Sequence, residues 1–213
     1  VAASLASALS RAAIALLLLS PQFPAQAGGI ELLTEFVRTH ERGNVEFSQE
    51  SFDETGELLA ETEGELWFVR PDRFRLEYYG EAAQLVWGDG EKVWYYDPEL
   101  EQATVRDFEG LGDSSALALL TGEEIQSEFI LTSAPGKSPD YDWVHAVPVS
   151  DERTFEDIWI AFDPTEGTLS LMEIRDVFSN TMILRFSPVE REVSDGAFEI
   201  ELPEGTAVFE EQG

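Results

Sequence analysis

Between Asn44 and Glu190 the chain keeps switching between short runs of alternating apolar and polar residues and clear turn signals, and few folds accept that pattern. "VEFSQESF" runs into the turn "DETG", and "ELLAETEGELWFVR" stops at Pro71-Asp72. "FRLEYY" and "QLVWGDGEKVWYYDP" follow, with Gly88-Asp89-Gly90 as a hairpin turn in which glycine supplies the positive φ. "EQATVRDF", "EFILTS" and "DWVHAV" continue the series. "EDIWIAFDPTEGTLSLMEIRDVFSNTMILRFSPVE" adds three strands with turns at Pro164 to Gly167 and at Ser179-Asn180. Consecutive strands joined by short turns predict an antiparallel meander, not a βαβ sheet.

Helical spacing is confined to short pieces. In "IELLTEFVRTH" the residues Leu33, Phe36, Val37 and His40 fall at i, i+3, i+4 and i+7, which predicts an amphipathic helix over 30–40. His40, at the end of that stripe, reads as a packed or surface side chain and not as a ligand. "SSALALLT" (114–121) has a serine at its N-cap position and Gly122 just past its end. Its leucines wrap most of the way round, which suits a lid on an apolar surface. About three helical pieces are expected beside one large sheet.

Residues 1–27 stand apart. Arg11, the apolar run Ala12 to Leu19 and the closing Ala25-Gln26-Ala27 form the pattern of a cleaved secretory signal, too short to span a bilayer. Cleavage after Ala27 leaves 28–213 as one domain, with the periplasm as the expected compartment. With no cysteine the chain has no disulfide, no thiolate metal site and no lipid-modified cysteine. The net charge of −30, from 43 acidic and 13 basic residues, repels nucleic acid and anionic membranes, so both are discounted as partners. Hydrophobic residues make up 43% of the chain, and the acids are spread along it, so this is a folded protein and not an acidic tail. A high-salt habitat is the simplest reading of such a surface, and a dedicated acidic binding face is the weaker one.

The inventory for catalysis is poor. There are two histidines, no Gly-x-Ser-x-Gly and no phosphate-cradling glycine loop. With 43 acids any two carboxylates meet by chance, so a glycosidase-like pair carries no information. Asp151, Glu152, Glu156 and Asp157 lack the spacing of a calcium loop and read as a solvated face. A non-enzyme that needs no metal or cofactor is the better reading. A large apolar sheet with few helices to cover it either closes on its own core or encloses a hollow for an apolar ligand.

"LWFVRPDRFRLEYYG" (66–80) and "LVWGDGEKVWYYDPELEQATV" (85–105) carry a resemblance. Leu66, Trp67, Arg70, Pro71, Phe74, Asp89, Gly90, Trp94, Tyr96, Pro98, Glu101 and Gln102 fit, in order and spacing, the pattern of the bacterial outer-membrane lipoprotein carrier family, LolA. The similarity runs from the first helix to the closing "FEIELPEGTAV". It implies a mainly β (α+β) fold: an unclosed antiparallel β-barrel with a lid of about three short helices over an apolar cavity. It implies a monomeric chaperone that accepts lipoproteins from an inner-membrane ABC transporter, shields their acyl chains and delivers them to an outer-membrane receptor. A lipoprotein-sensing regulatory domain of the same fold is the alternative. The family arginine, associated with holding the lid, falls on Arg70, and the aromatic near the opening used by partners falls on Phe74.

Parity places Phe74, Leu76 and Tyr78 on one strand face, and Leu66, Phe68 and Arg70 on one face of the strand before it. The expected cavity and lid residues are therefore Phe68, Arg70, Phe74, Leu76 and Tyr78, with Leu117 and Leu120 from the lid. Arg73 and Arg75 are expected to be solvent-facing charges that neutralise an acidic surround.

Overall fold

The computed structural model describes residues 28–80, 83–108, 125–135, 137–150 and 154–211. One helix, α1 (Gly29–Thr39), precedes β1 (Arg42–Phe52), β2 (Leu58–Val69), β3 (Arg73–Tyr78), β4 (Gln84–Asp89), β5 (Lys92–Asp97) and β6 (Gln102–Asp107). β7 (Phe129–Ser133), β8 (Asp142–Pro148), β9 (Phe155–Phe162), β10 (Leu169–Asp176), β11 (Thr181–Phe186) and β12 (Ala207–Glu210) follow. All twelve strands join one sheet in the order β12-β6-β5-β4-β3-β2-β1-β11-β10-β9-β8-β7. Its edges, β12 and β7, do not pair with each other, so the sheet is unclosed. Every pairing is antiparallel except that of β12 with β6.

Alternation decides what each face meets. Val45 and Phe47 of β1, Leu66 and Phe68 of β2, Phe74 of β3, Val86 of β4 and Val93 of β5 lie on one side. They share a core with Val144, Ile158, Ile160 and Met172 of the other half of the sheet, and with Leu33 and Phe36 of α1. The sheet must curl to allow this. Phe36 lies 6.2 Å from the ring of Phe162 on β9 and 5.8 Å from the guanidinium of Arg70, just past β2. Those strands are four positions apart, which in a flat sheet would be about 19 Å. α1 therefore closes one end of the inner face. It can approach β8 because position 29 is glycine: a Cβ there would stand 2.5 Å from the carbonyl oxygen of Trp143.

The expected three-helix lid is corrected. Among the described residues only α1 exceeds a single turn; Ile125–Glu128 is one α-turn and Asp195–Phe198 one 3₁₀ turn. The helix expected at 114–121, with Leu117 and Leu120, lies outside the described residues.

The outer face has a cover that alternation alone did not announce. After β11 the backbone of Glu190 exchanges two hydrogen bonds with Asn44, and the chain then crosses outside β1 and β3 before β12 joins β6. The outer face of β4, β5 and β6 carries apolar residues as well. Trp87 and Trp94 stack at 5.4 Å with an interplanar angle of 3°, and Ala103 and Val105 are buried.

Candidate functional site

The sequence-predicted residues fall into three environments on or beside the inner face. Phe68 and Phe74, each 1% exposed, are packed core. Arg70 sits at the end closed by α1, where its Nε donates to the carbonyl of His40 at 2.8 Å. Its guanidinium lies 5.8 Å from the Phe36 ring and 5.2 Å from that of Phe68. The arginine thus ties the carboxyl end of α1, where carbonyls lack helical partners, to the end of β2. His40 stacks on Phe36 at 4.7 Å and directs Nδ1 to the Phe36 carbonyl at 3.0 Å. Burial holds its pKa below the ordinary 6.5, with the nearby cations Arg191 and Arg70 adding to the effect.

Leu76 and Tyr78 lie toward the other end and are only half buried. Leu76 stands between Leu66 of β2 and Val86 of β4. Tyr78 meets the ring of Phe47 edge-on at 5.4 Å, donates to Gln49 Oε1 at 3.4 Å, and has its hydroxyl pKa raised by burial. Gly64 makes room for this pair, since a Cβ there would stand 2.5 Å from the Phe47 ring. Tyr95, Phe155, Met182 and Leu184 are half buried on the same inner face and pack against the core. The inner face is therefore graded: filled under α1, and an apolar wall with unsatisfied contact area away from it.

A cleft of about 780 Å³ runs along the β1–β2 hairpin, where Glu50, Glu61, Glu63 and Arg185 stand beside Leu59, Ala60 and Tyr79. Of the weak acidic cluster, Asp151 and Glu152 lie outside the described residues. Asp157 is occupied: it accepts from Trp159 Nε1 at 3.1 Å and lies 3.7 Å from the Arg175 guanidinium. Among the described residues no group of carboxylates and histidines could hold a metal ion.

Arg73 is exposed as expected, but Arg75 is half-buried, and neither serves only to neutralise the acidic surround. Arg75 lies 5.1 Å from the Trp67 ring, donates to the carbonyl of Ala197 at 3.3 Å and pairs with Glu77 at 3.0 Å. Arg73 lies 5.7 Å from the Phe198 ring. Arg42 donates to the carbonyl of Val193 at 3.3 Å and to Asp195 at 3.1 Å. These three arginines fasten the C-terminal segment to the outer face as a strap. A signal for it was present: Trp67, Trp87 and Trp94 stand at positions of opposite parity to the core, and large apolar residues there require a cover.

A curled, unclosed sheet with a graded apolar wall inside is the architecture of a binding protein for apolar cargo. The family model for "Outer membrane lipoprotein carrier protein LolA" matches residues 39–201, and the chain belongs to that family, whose members are carriers and not enzymes. The outer-membrane lipoprotein carrier protein of Nitrosospira multiformis is 35% identical over 188 residues, covering 87% of this chain and 90% of its own. That of Dechloromonas aromatica is 36% identical over 168 residues, covering 78% and 79%. Among solved structures, an uncharacterized conserved protein from Thermus thermophilus superposes with a TM-score of 0.52 at 9% identity, covering 85% of this chain and 99% of its own; this likeness is one of fold alone.

Proposed function

We propose that the protein is a periplasmic chaperone that accepts lipoproteins from an inner-membrane ABC transporter, shields their acyl chains against the inner face of the sheet, and delivers them to an outer-membrane receptor. The observation that carries the reading is the half-buried apolar wall of Leu76, Tyr78, Tyr95, Met182 and Leu184 in a chain of the lipoprotein-carrier family. Each buried CH₂ contributes about 0.8 kcal/mol, so a 16-carbon chain contributes on the order of 12 kcal/mol. Cargo of that hydrophobicity does not cross water unaided. The carrier must also release it, and a link as modest as that from Arg70 to His40 suits a closure that yields to lipid.

The test is to isolate the protein from the periplasm of the cells that make it and identify the bound species by mass spectrometry. Acylated lipoprotein amino termini are expected. A preparation active in folding assays that carries no acylated species, and that takes none from transporter-bearing vesicles, overturns the reading.

A further inference from the structure

Arg106 is placed oddly for a chain this acidic. It stands on β6 directly opposite Val93, which is fully buried in the core, so its side chain belongs to the inner face. Its guanidinium lies 4.8 Å from the Tyr95 ring, and one of its NH₂ groups donates to the Tyr95 hydroxyl. Its Nε is buried and has no hydrogen-bond partner among the described residues. Arg42, Arg75, Arg175 and Arg185 each face a carboxylate, whereas Arg106 has none in ion-pair contact among the described residues. A guanidinium carries five donors, and leaving a buried donor unmade is costly. Such a group in a native fold calls for a partner.

The neighbourhood defines what that partner is. Tyr95 stands opposite Val86, and Val86 opposite Leu76, so a row of apolar side chains leads away from the guanidinium across three adjacent strands. A ligand that fits is apolar along its length and carries a hydrogen-bond acceptor at one end. We propose that Arg106, oriented by Tyr95, is a polar anchor within the apolar face that binds the carbonyl oxygen at the head of an acyl chain, while the chain lies against the half-buried Tyr95 and Leu76, which flank the buried Val86. This rests on the carrier reading and adds to it a fixed direction of entry: head group at β6, tail toward β3. The acceptor chemistry is shared by the ester of a lipid-modified protein and by the carboxylate of a free fatty acid.

The test uses the full folded chain from residue 28 and the neutral apolar fluorophore N-phenyl-1-naphthylamine, displaced by laurate, methyl laurate or n-tridecane. In the wild type both acceptor-bearing ligands should displace the probe at about tenfold lower concentration than the alkane, the worth of one hydrogen bond to a charged donor. Arg106→Met should abolish that preference and leave displacement by the alkane unchanged. Should Arg106→Met fold poorly, Tyr95→Phe removes the orienting hydroxyl alone and should reduce the preference severalfold. A wild type that does not discriminate, or variants that keep the full preference, overturns the anchor. If no ligand displaces the probe, or the probe itself does not bind, the carrier reading falls with it. Preference for laurate alone supports the anchor with a free fatty acid as its ligand and overturns the ester.

Discussion

At the scale of single residues, Arg70 and His40 act together at the carboxyl end of α1. The Arg70 Nε contact to the His40 carbonyl favours the state in which α1 is seated on the end of β2. A link of this kind contributes roughly 1–3 kcal/mol, far less than a bound acyl chain. Removing it lowers the advantage of the empty, seated state, so loading becomes easier and unloading harder. Arg70→Leu is therefore expected to stay folded, to take lipoprotein from the transporter and to fail in passing it to the receptor. A reconstituted transfer assay checks this, and transfer at the wild-type rate would remove Arg70 from the mechanism. His40 supplies a pH dependence. Because burial depresses its folded-state pKa, the unfolded chain binds the proton more tightly, and folding favours the neutral ring. The stabilisation is present above the unfolded value of 6.5 and is lost as pH falls through the lower folded value. An NMR titration of the His40 ring should give a midpoint below 6.5; a midpoint at or above it would contradict the packing of His40 on Phe36.

At the scale of elements, the strap from Val193 to Glu210 does on the outer face what α1 does on the inner one. It is held by Arg42, Arg73 and Arg75 outside β1 and β3, and its path from there to β12 beside β6 takes it past β4 and β5, which carry the stacked Trp87 and Trp94. Deleting 193–213 should expose the stacked tryptophans, shift their emission to the red and lower the melting temperature. Emission unchanged from wild type would mean that the strap covers nothing. Arg75→Ala should give a milder version, losing about 1–2 kcal/mol through the Ala197 bond and the Trp67 contact. Most strands were legible in the sequence, because each is bounded by a turn with its own chemistry. Asp163, for instance, accepts from the N–H groups of Thr165 and Glu166 at 2.7 and 2.9 Å, as a Pro-Thr-Glu-Gly turn demands. The inner-face register of Phe74, Leu76 and Tyr78 was legible for the same reason: with period two, fixing one residue fixes the rest. The parallel seating of β12 on β6 was not, since a four-residue strand after a long irregular segment has no alternation to read. Nor was the anchor at Arg106, because cross-strand register, which no single strand encodes, puts it opposite Val93. The strap arginines were misread for a related reason. Parity says that Arg73 and Arg75 face outward, but not that another segment crosses over them.

At the scale of the whole molecule, the charge is the term that solvent controls. A net −30 is spread over a sheet whose pairing sets acids against acids. Glu65 stands directly opposite both Glu46 and Glu77, and Glu50 opposite Glu61. Cross-strand like charges each cost on the order of 0.2–1 kcal/mol, and the many longer-range repulsions add to them. Arg185 answers Glu50, but 13 basic residues cannot answer 43 acidic ones. Salt weakens these terms because the Debye length falls from about 10 Å at 0.1 M to about 3 Å at 1 M. The buried apolar core is not weakened by the same change. Stability should therefore rise with salt, and a relief on the order of 3 kcal/mol corresponds to about 10 °C for a chain of this length. Thermal unfolding between low and molar sodium chloride measures it. Sulfate would confound the experiment by strengthening apolar burial as well. Glu61→Gln isolates the local part, since it removes one exposed carboxylate opposite Glu50 and leaves the backbone pairing in place. That variant should melt a degree or more above wild type at low salt, the scale of one cross-strand pair, and together with it at molar salt. A melting temperature flat across the salt range, or a Glu61→Gln gain that persists at molar salt, would show that repulsion between these acids does not set the stability of the fold.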